Sequence, residues 1–287
     1  MLRTLPHRHR PLIGAWCFAD HYGPYDTARL GAVDVAPHPH SGLQTVSWLF
    51  QGSIEHRDSA GVHQIVRPGE LNLMTAGAGI CHSEVSTPET GILHGVQLWI
   101  ALPDSDRNTS RSFENYTPEP ILRDGAVIRL FIGQLSGHRS PVHVFTPLLG
   151  AEINLEDNQR LELDIEPGFE HGVLVDHGPV EVAGTALDHG QLRYLPPGST
   201  RLDITATTDS AARVVLIGGE PFSDDILMWW NFLGRRHEEI VQLRQLWERG
   251  DARFGSVVDY QGPQQRIPAP PLPTSRLRPR RPIAADR

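Results

Sequence analysis

Glycine and proline cut this chain into short apolar runs, and that punctuation restricts the fold more than any other feature. The 287 residues include 27 glycines and 24 prolines. Turn signals such as Arg67-Pro68-Gly69, Pro167-Gly168, Gly178-Pro179 and Pro196-Pro197-Gly198 recur at short intervals. Proline presets φ and glycine tolerates positive φ, so each signal ends one run and permits the next. Residues 45–50 alternate, with Val46, Trp48 and Phe50 on one face and Thr45, Ser47 and Leu49 on the other. Residues 54–66 read as a hairpin about Ser59-Ala60-Gly61, and residues 71–74 and 92–102 as further strands. A second series of strands is expected at 127–132, 142–147, 160–165, 171–175, 180–182, 191–195 and 212–217. Closely spaced short strands of this kind favour an all-β antiparallel sandwich or barrel. The similar placing of Arg67-Pro68-Gly69 and Pro196-Pro197-Gly198 hints at a divergent internal repeat.

The polar stretch 105–120 reads as a long connection. Near the C-terminus, residues 235–249 put Ile240, Leu243, Leu246 and Trp247 on one helical face with charges opposite, an amphipathic helix expected to pack on a barrel. Beyond it the proline- and arginine-rich end reads as an extended, poorly ordered tail laid across the surface. The expected division is therefore 1–133, an N-terminal barrel; 134–220, a second barrel; 221–262, a helical segment; and 263–287, the tail. No apolar run approaches the ~18 to 20 residues of a membrane span, and no signal-peptide pattern follows the basic N-terminus. A soluble, cytoplasmic protein is expected. Its net charge of −8 argues against nucleic-acid binding, and the basic cluster 276–281 is too short to reverse that. Two cysteines, Cys17 and Cys81, are too few for a disulfide framework.

The chemistry is concentrated in two short motifs, His38-Pro39-His40 and His82-Ser83-Glu84. Side chains at i and i+2 of an extended chain share a face, so each motif presents two ligands to one point. Pro39 presses His38 toward extended conformations. On adjacent strands His38, His40, His82 and Glu84 complete a four-ligand set, and imidazoles with a carboxylate suit a redox-capable first-row divalent metal. If the parity of His38 and His40 runs on unbroken, Gln44, Val46, Trp48 and Phe50 line the same interior. His56, His94 and Gln97 are further pocket candidates. Cys81 faces away from His82 and reads as apolar filler, and turn capping accounts for Asp58 and Ser59. The second half has no such histidine pairs at strand spacing, so its barrel is expected to lack metal.

The set His38-Pro39-His40-Ser41-Gly42, His56-Arg57-Asp58-Ser59, Met74-Thr75-Ala76-Gly77, His82-Ser83-Glu84 and His94-Gly95, with Gly218-Gly219-Glu220-Pro221 and Met228-Trp229-Trp230-Asn231-Phe232 later, resembles the pirin family of the cupin superfamily. The resemblance implies a bicupin: two antiparallel jelly-roll barrels packed face to face, with one metal in the first. It assigns His38, His40, His82 and Glu84 as ligands, most often for Fe(II), while zinc, nickel, manganese or copper also fit such donors. It implies quercetin 2,3-dioxygenase activity, in which O₂ opens a flavonol ring and carbon monoxide leaves, with Glu84 a candidate base toward the substrate hydroxyl. Other members act without catalysis, as metal- and redox-dependent partners of a transcription factor or metabolic enzyme. One departure stands out: Gln44 occupies a position where pirins commonly carry glutamate.

Overall fold

A computed structural model describes residues 1–207 and 210–279. In chain order the strands are β1 (Leu2–Leu5), β2 (Trp16–Asp26), β3 (Asp34–His40), β4 (Leu43–Gln51), β5 (Ile54–Asp58), β6 (His63–Val66), β7 (Leu71–Thr75), β8 (Ile80–Ser86), β9 (Ile92–Ala101) and β10 (Ser112–Tyr116). They continue as β11 (Ile121–Arg123), β12 (Ala126–Ile132), β13 (Gln134–Leu135), β14 (His138–Arg139), β15 (Leu148–Leu155), β16 (Arg160–Asp164), β17 (Glu170–His177) and β18 (Val180–Val182). The last are β19 (Thr185–Leu187), β20 (Leu192–Leu195), β21 (Arg201–Ala206), β22 (Ala212–Gly219), β23 (Leu227–Trp229) and β24 (Phe232–Gly234). Two helices, α1 (Thr27–Leu30) and α2 (His237–Glu248), complete the described elements.

The chain divides into two compact units. One, the N-barrel, joins residues 22–115 to 224–287; the other, the C-barrel, joins 1–21 to 116–223. The expected boundary at 133/134 is thus not where the chain divides, and the C-terminal segment does not stand apart. The apolar stripe of α2 explains this. Ile240, Leu243, Leu246 and Trp247 pack in one cluster with Cys81, Phe232 and Phe254, on the back of the β3–β8 pair. Pro-rich residues follow the helix onto the same surface: Ile267 N–H donates to Pro37 O at 2.8 Å, and Trp247 Nε1–H to Ile267 O at 2.9 Å. The tail has no regular secondary structure, as expected, but it stays in contact with the N-barrel as far as Leu277, whose N–H donates to His237 Nδ1 at 3.2 Å; Arg280 and Arg281 of the basic cluster lie outside the described residues.

Each unit is built on a pair of antiparallel sheets, with a short ribbon beside it, β23-β24 in the N-barrel and β13-β14 in the C-barrel. In the N-barrel the paired sheets are β3-β8-β5-β6 and a sheet that runs from the part of β2 beyond His21 through β9, β4 and β7 to β10. In the C-barrel they are β16-β21-β18-β19 and β11-β12-β15-β22-β17-β20. Strand for strand, β2-β9-β4-β7 matches β15-β22-β17-β20, and β3-β8-β5-β6 matches β16-β21-β18-β19. The repeat is real, but the turns that hinted at it are not counterparts. Arg67-Pro68-Gly69 joins β6 to β7, whereas Pro196-Pro197-Gly198 joins β20 to β21 and so corresponds to the run Ala76-Gly77-Ala78-Gly79.

Two local expectations fail for physical reasons. Residues 142–147 form no strand; the central strand is β15, just beyond Pro147, paired on both sides with β12 and β22. Proline cannot donate to a ladder, so the bonded strand starts only after it. Within 105–120 lies β10, an edge strand beside β7. Its polar sequence suits an edge: Asn115 Nδ2 donates to Asn72 Oδ1 at 2.9 Å, and Phe113 turns toward His56.

Candidate metal centre

The β3–β8 ladder brings the two histidine motifs together. His38 lies directly opposite His82, and a bulge between Val35 and His38 sets Val35 opposite Glu84. On the other side of β8, His56 faces Glu84 and Asp58 faces His82. Directly opposed residues on antiparallel strands point to the same face. His38, His40, His56, Asp58, His82 and Glu84 therefore share the inner face, while Cys81 takes the outer one among the α2 contacts.

Ligand atoms of His38, His40 and His82 lie within 4.8 Å of one another, and so do those of an overlapping group, His56, His82 and Glu84. Glu84 is thus set beside His82 rather than equally near all three imidazoles. His38, His40 and His82 are all buried, at 7%, 2% and 1% exposure. Burial holds each imidazole below its ordinary pKa, most strongly at His40 and His82, so the rings are neutral at pH 7. His38 Nδ1 is engaged with Ala36 O at 2.9 Å, which leaves Nε2 for a ligand. His40 Nδ1 and His82 Nε2 are buried with no hydrogen-bond partner among the described residues. An unpaired buried polar atom costs ~1–3 kcal/mol, and a cation that accepts these lone pairs removes that cost. The donor set fits a divalent metal.

The second sheet supplies the opposite wall, with a parity different from the expected one. Gly42, at φ +73°, separates β3 in one sheet from β4 in the other; a Cβ there would lie 2.3 Å from Leu233 O. The turn resets the alternation, so Ser47 and not Val46 faces the histidines. Ser47 Oγ–H donates to Glu84 Oε1 at 3.1 Å and lies 3.0 Å from Gln97 Oε1. Two positions along, Thr45 stands opposite Trp99, whose ring meets His40 edge-on at 5.1 Å. Val46 and Trp48 lie on the other face of β4, as does Gln44, whose Nε2 donates to Thr75 Oγ1 at 2.9 Å. These three are buried but do not line the centre. Phe50, at a bulge in the β4–β9 ladder, and His94 meet edge-on at 5.1 Å and belong to no part of the three-histidine group. Of the expected pocket residues, Gln97 and His56 adjoin the centre.

Sequence reasoning missed Ser47, Trp99, Phe113 and Tyr22. The Tyr22 hydroxyl is buried and has no hydrogen-bond partner among the described residues, and burial together with the Glu84 charge pushes its pKa up. It lies against Gly95, where a Cβ would come within 3.0 Å of the phenol oxygen. Ser47 would have been found had the parity been restarted at Gly42; Phe113 was hidden in a stretch read as a connection.

Comparison with known proteins agrees with this architecture. The Pirin family model matches residues 1–100 and the Pirin C-terminal cupin domain matches residues 150–255. A Pseudomonas aeruginosa protein provisionally named quercetin 2,3-dioxygenase is 44% identical over 272 residues, covering 94% of this chain and 85% of that protein. A pirin-like protein of Caulobacter vibrioides is 35% identical, covering 86% of this chain and 88% of the relative. The crystal structure of an Acinetobacter baumannii quercetin 2,3-dioxygenase superposes with a TM-score of 0.90 at 40% identity, over 95% of this chain and 90% of that one. Two cupin domains, the motif set and these relatives converge: the chain belongs to the pirin family.

Proposed function

We propose that this pirin is a metal-dependent dioxygenase that opens the ring of a flavonol or a related catechol-like substrate with O₂. The observation that carries the reading is the buried three-histidine group with two orphaned ring nitrogens. The names of the Pseudomonas and Acinetobacter relatives support the substrate class. His38, His40 and His82 would hold the ion as neutral imidazoles, with Glu84 the adjacent carboxylate. A bound divalent ion, Fe(II) in this reading, supplies a Lewis-acid and redox centre for a substrate oxygen and O₂.

The remaining work falls to side chains. Ser47 holds the Glu84 carboxylate through the 3.1 Å hydrogen bond, beside His82. From there Glu84 takes the proton of a substrate hydroxyl, which passes from the hydroxyl oxygen to a carboxylate oxygen. Trp99 against His40 and Phe113 against His56 give aromatic, water-excluding walls that suit a planar aromatic ligand. The unpartnered Tyr22 hydroxyl has a donor to offer to a ligand that enters.

The test is incubation of iron-loaded protein with quercetin under O₂, following carbon monoxide release and loss of the flavonol absorbance. Turnover above that of free iron is expected. Stoichiometric metal without turnover overturns the enzymatic reading and leaves a metal-dependent binding role.

A further inference from the structure

Behind His82 stands a second imidazole that no ligand assignment uses. His56 lies on β5 with Nδ1 3.4 Å from His82 Nδ1, and its Nε2 is 3.1 Å from Asp58 Oδ2. Both His56 and Asp58 are only 3% exposed. Phe113 stacks on the His56 ring with centroids 4.7 Å apart and planes 30° apart. Asp58 is itself fixed by the turn that follows: its Oδ1 accepts from Ala60 N–H at 2.8 Å and Val62 N–H at 3.2 Å. Every atom of the row is thus held from one end.

That row leaves one consistent placement of protons in the neutral state. A carboxylate oxygen only accepts, so His56 Nε2 carries the proton that it donates to Asp58. A neutral imidazole has one N–H, so His56 Nδ1 is then an acceptor, and the contact with His82 Nδ1 requires His82 to donate from that nitrogen. The only lone pair left on His82 is at Nε2, which is the buried nitrogen with no partner. Outer residues that fix the tautomer of a metal-binding histidine raise its basicity and set its orientation.

We infer that Asp58 and His56 form a positioning relay that locks His82 in the Nδ1–H tautomer, keeping Nε2 aimed and ready for a divalent cation. This rests on the metal reading above and deepens it. His56 is a positioning residue, not a ligand, although it belongs to the overlapping group with His82 and Glu84.

The experiment uses the full chain and Co(II) as the probe. In metal-free protein, long-range ¹H–¹⁵N correlation is expected to show His82 protonated at Nδ1 and His56 at Nε2. Co(II) affinity, measured by chelator competition, is expected to fall ~10- to 100-fold in His56→Leu, which has no acceptor. His56→Asn carries an amide oxygen close to the place of Nδ1 and is expected to recover binding to within about threefold. Its recovery separates loss of the acceptor from general loss of packing, since both variants lose the Phe113 stack. A wild-type His82 protonated at Nε2 overturns the relay, as does equal Co(II) affinity in His56→Leu. So does an asparagine variant no better than the leucine one, or a His56 ring found bonded to Co(II). Wild-type protein that fails to bind Co(II) at all overturns the metal reading itself, a distinct outcome.

Discussion

The two barrels share one strand order and fill it with opposite chemistry. In the N-barrel, His38 stands opposite His82 across β3 and β8. In the matching pair of the C-barrel, β16 and β21, Leu163 stands opposite Leu202 and Leu161 opposite Ile204, all four fully buried. The C-barrel interior extends this with Ile128, Ala151, Val173, Val182 and Val214, a continuous aliphatic core. A barrel whose facing positions are aliphatic is stabilised by burial alone, at ~25 cal/mol per Å² of apolar surface. One whose facing positions are imidazoles forgoes part of that and keeps unpaired lone pairs, a state that a bound cation relieves. The difference teaches that the framework tolerates a site because the rest of the N-barrel is tied down from outside. There, α2 and the tail cover the back of the very strands that carry the histidines.

The comparison breaks most easily at His82. A four-ligand structural zinc site is worth ~10–16 kcal/mol, or about 2.5–4 kcal/mol per ligand. His82→Ala is therefore expected to weaken metal binding several hundredfold, and elemental analysis after dialysis against a chelator should find little metal. Stoichiometric metal in that variant would show the ligand set to be wrong. The converse substitution lies in the other barrel. Leu202→Ala should cost about 3 kcal/mol of stability by cavity formation in an aliphatic core, read by denaturant unfolding. Metal content should stay unchanged, because every proposed ligand lies in the N-barrel. A loss of metal there would mean that the two interiors are not chemically independent.

How much of this contrast was legible follows from the range over which each signal acts. Strand-pair ligands at i and i+2 depend on local alternation, so His38, His40, His82 and Glu84 fell on one face as read, and the absence of such pairs in the second half agreed with its apolar interior. The wall opposite was misread because alternation was carried through Gly42, a left-handed glycine that passes the chain from one sheet to the other. One residue of slip exchanges the two faces of a strand, which is why Ser47 replaces Val46 beside Glu84. Asp58 was read as a turn cap, which it is, but its second oxygen binds His56, and no local pattern reports that. The division into units was illegible for a longer-range reason. A segment at 224–279 packs back on strands far earlier in sequence, and composition alone marks it only as a helix and a tail.

The C-barrel has a polar exception that sharpens the comparison through pH. His171, on β17, is 1% exposed, its Nε2 has no hydrogen-bond partner among the described residues, and burial lowers its pKa to about 4, with Glu166 opposing more weakly. The unfolded chain takes up a proton near pH 6.5, where the folded barrel does not. Stability from this group is therefore complete above about pH 6.5 and declines as pH falls toward 4, by about 3 kcal/mol in all. His171→Gln should flatten that part of the acid-unfolding profile relative to wild type. Identical profiles would place His171 among groups free to protonate in the folded state.

The smallest expected effect tests the revised wall of the N-barrel. Ser47 has one hydroxyl proton and two acceptors within reach, Glu84 Oε1 at 3.1 Å and Gln97 Oε1 at 3.0 Å. A hydroxyl donates once, and the charged acceptor gives the stronger bond, so the proton belongs to Glu84. Ser47→Ala removes that donor without disturbing the histidines, and about 1 kcal/mol lost corresponds to roughly a fivefold weaker hold on a cation if, as proposed, Glu84 is among its ligands. Val46→Ala, one residue away on the far face, should instead lower stability by cavity formation and leave metal affinity unchanged. If Val46→Ala proves the variant that weakens metal binding and Ser47→Ala does not, β4 presents its other face to the histidines and the restart of alternation at Gly42 is wrong.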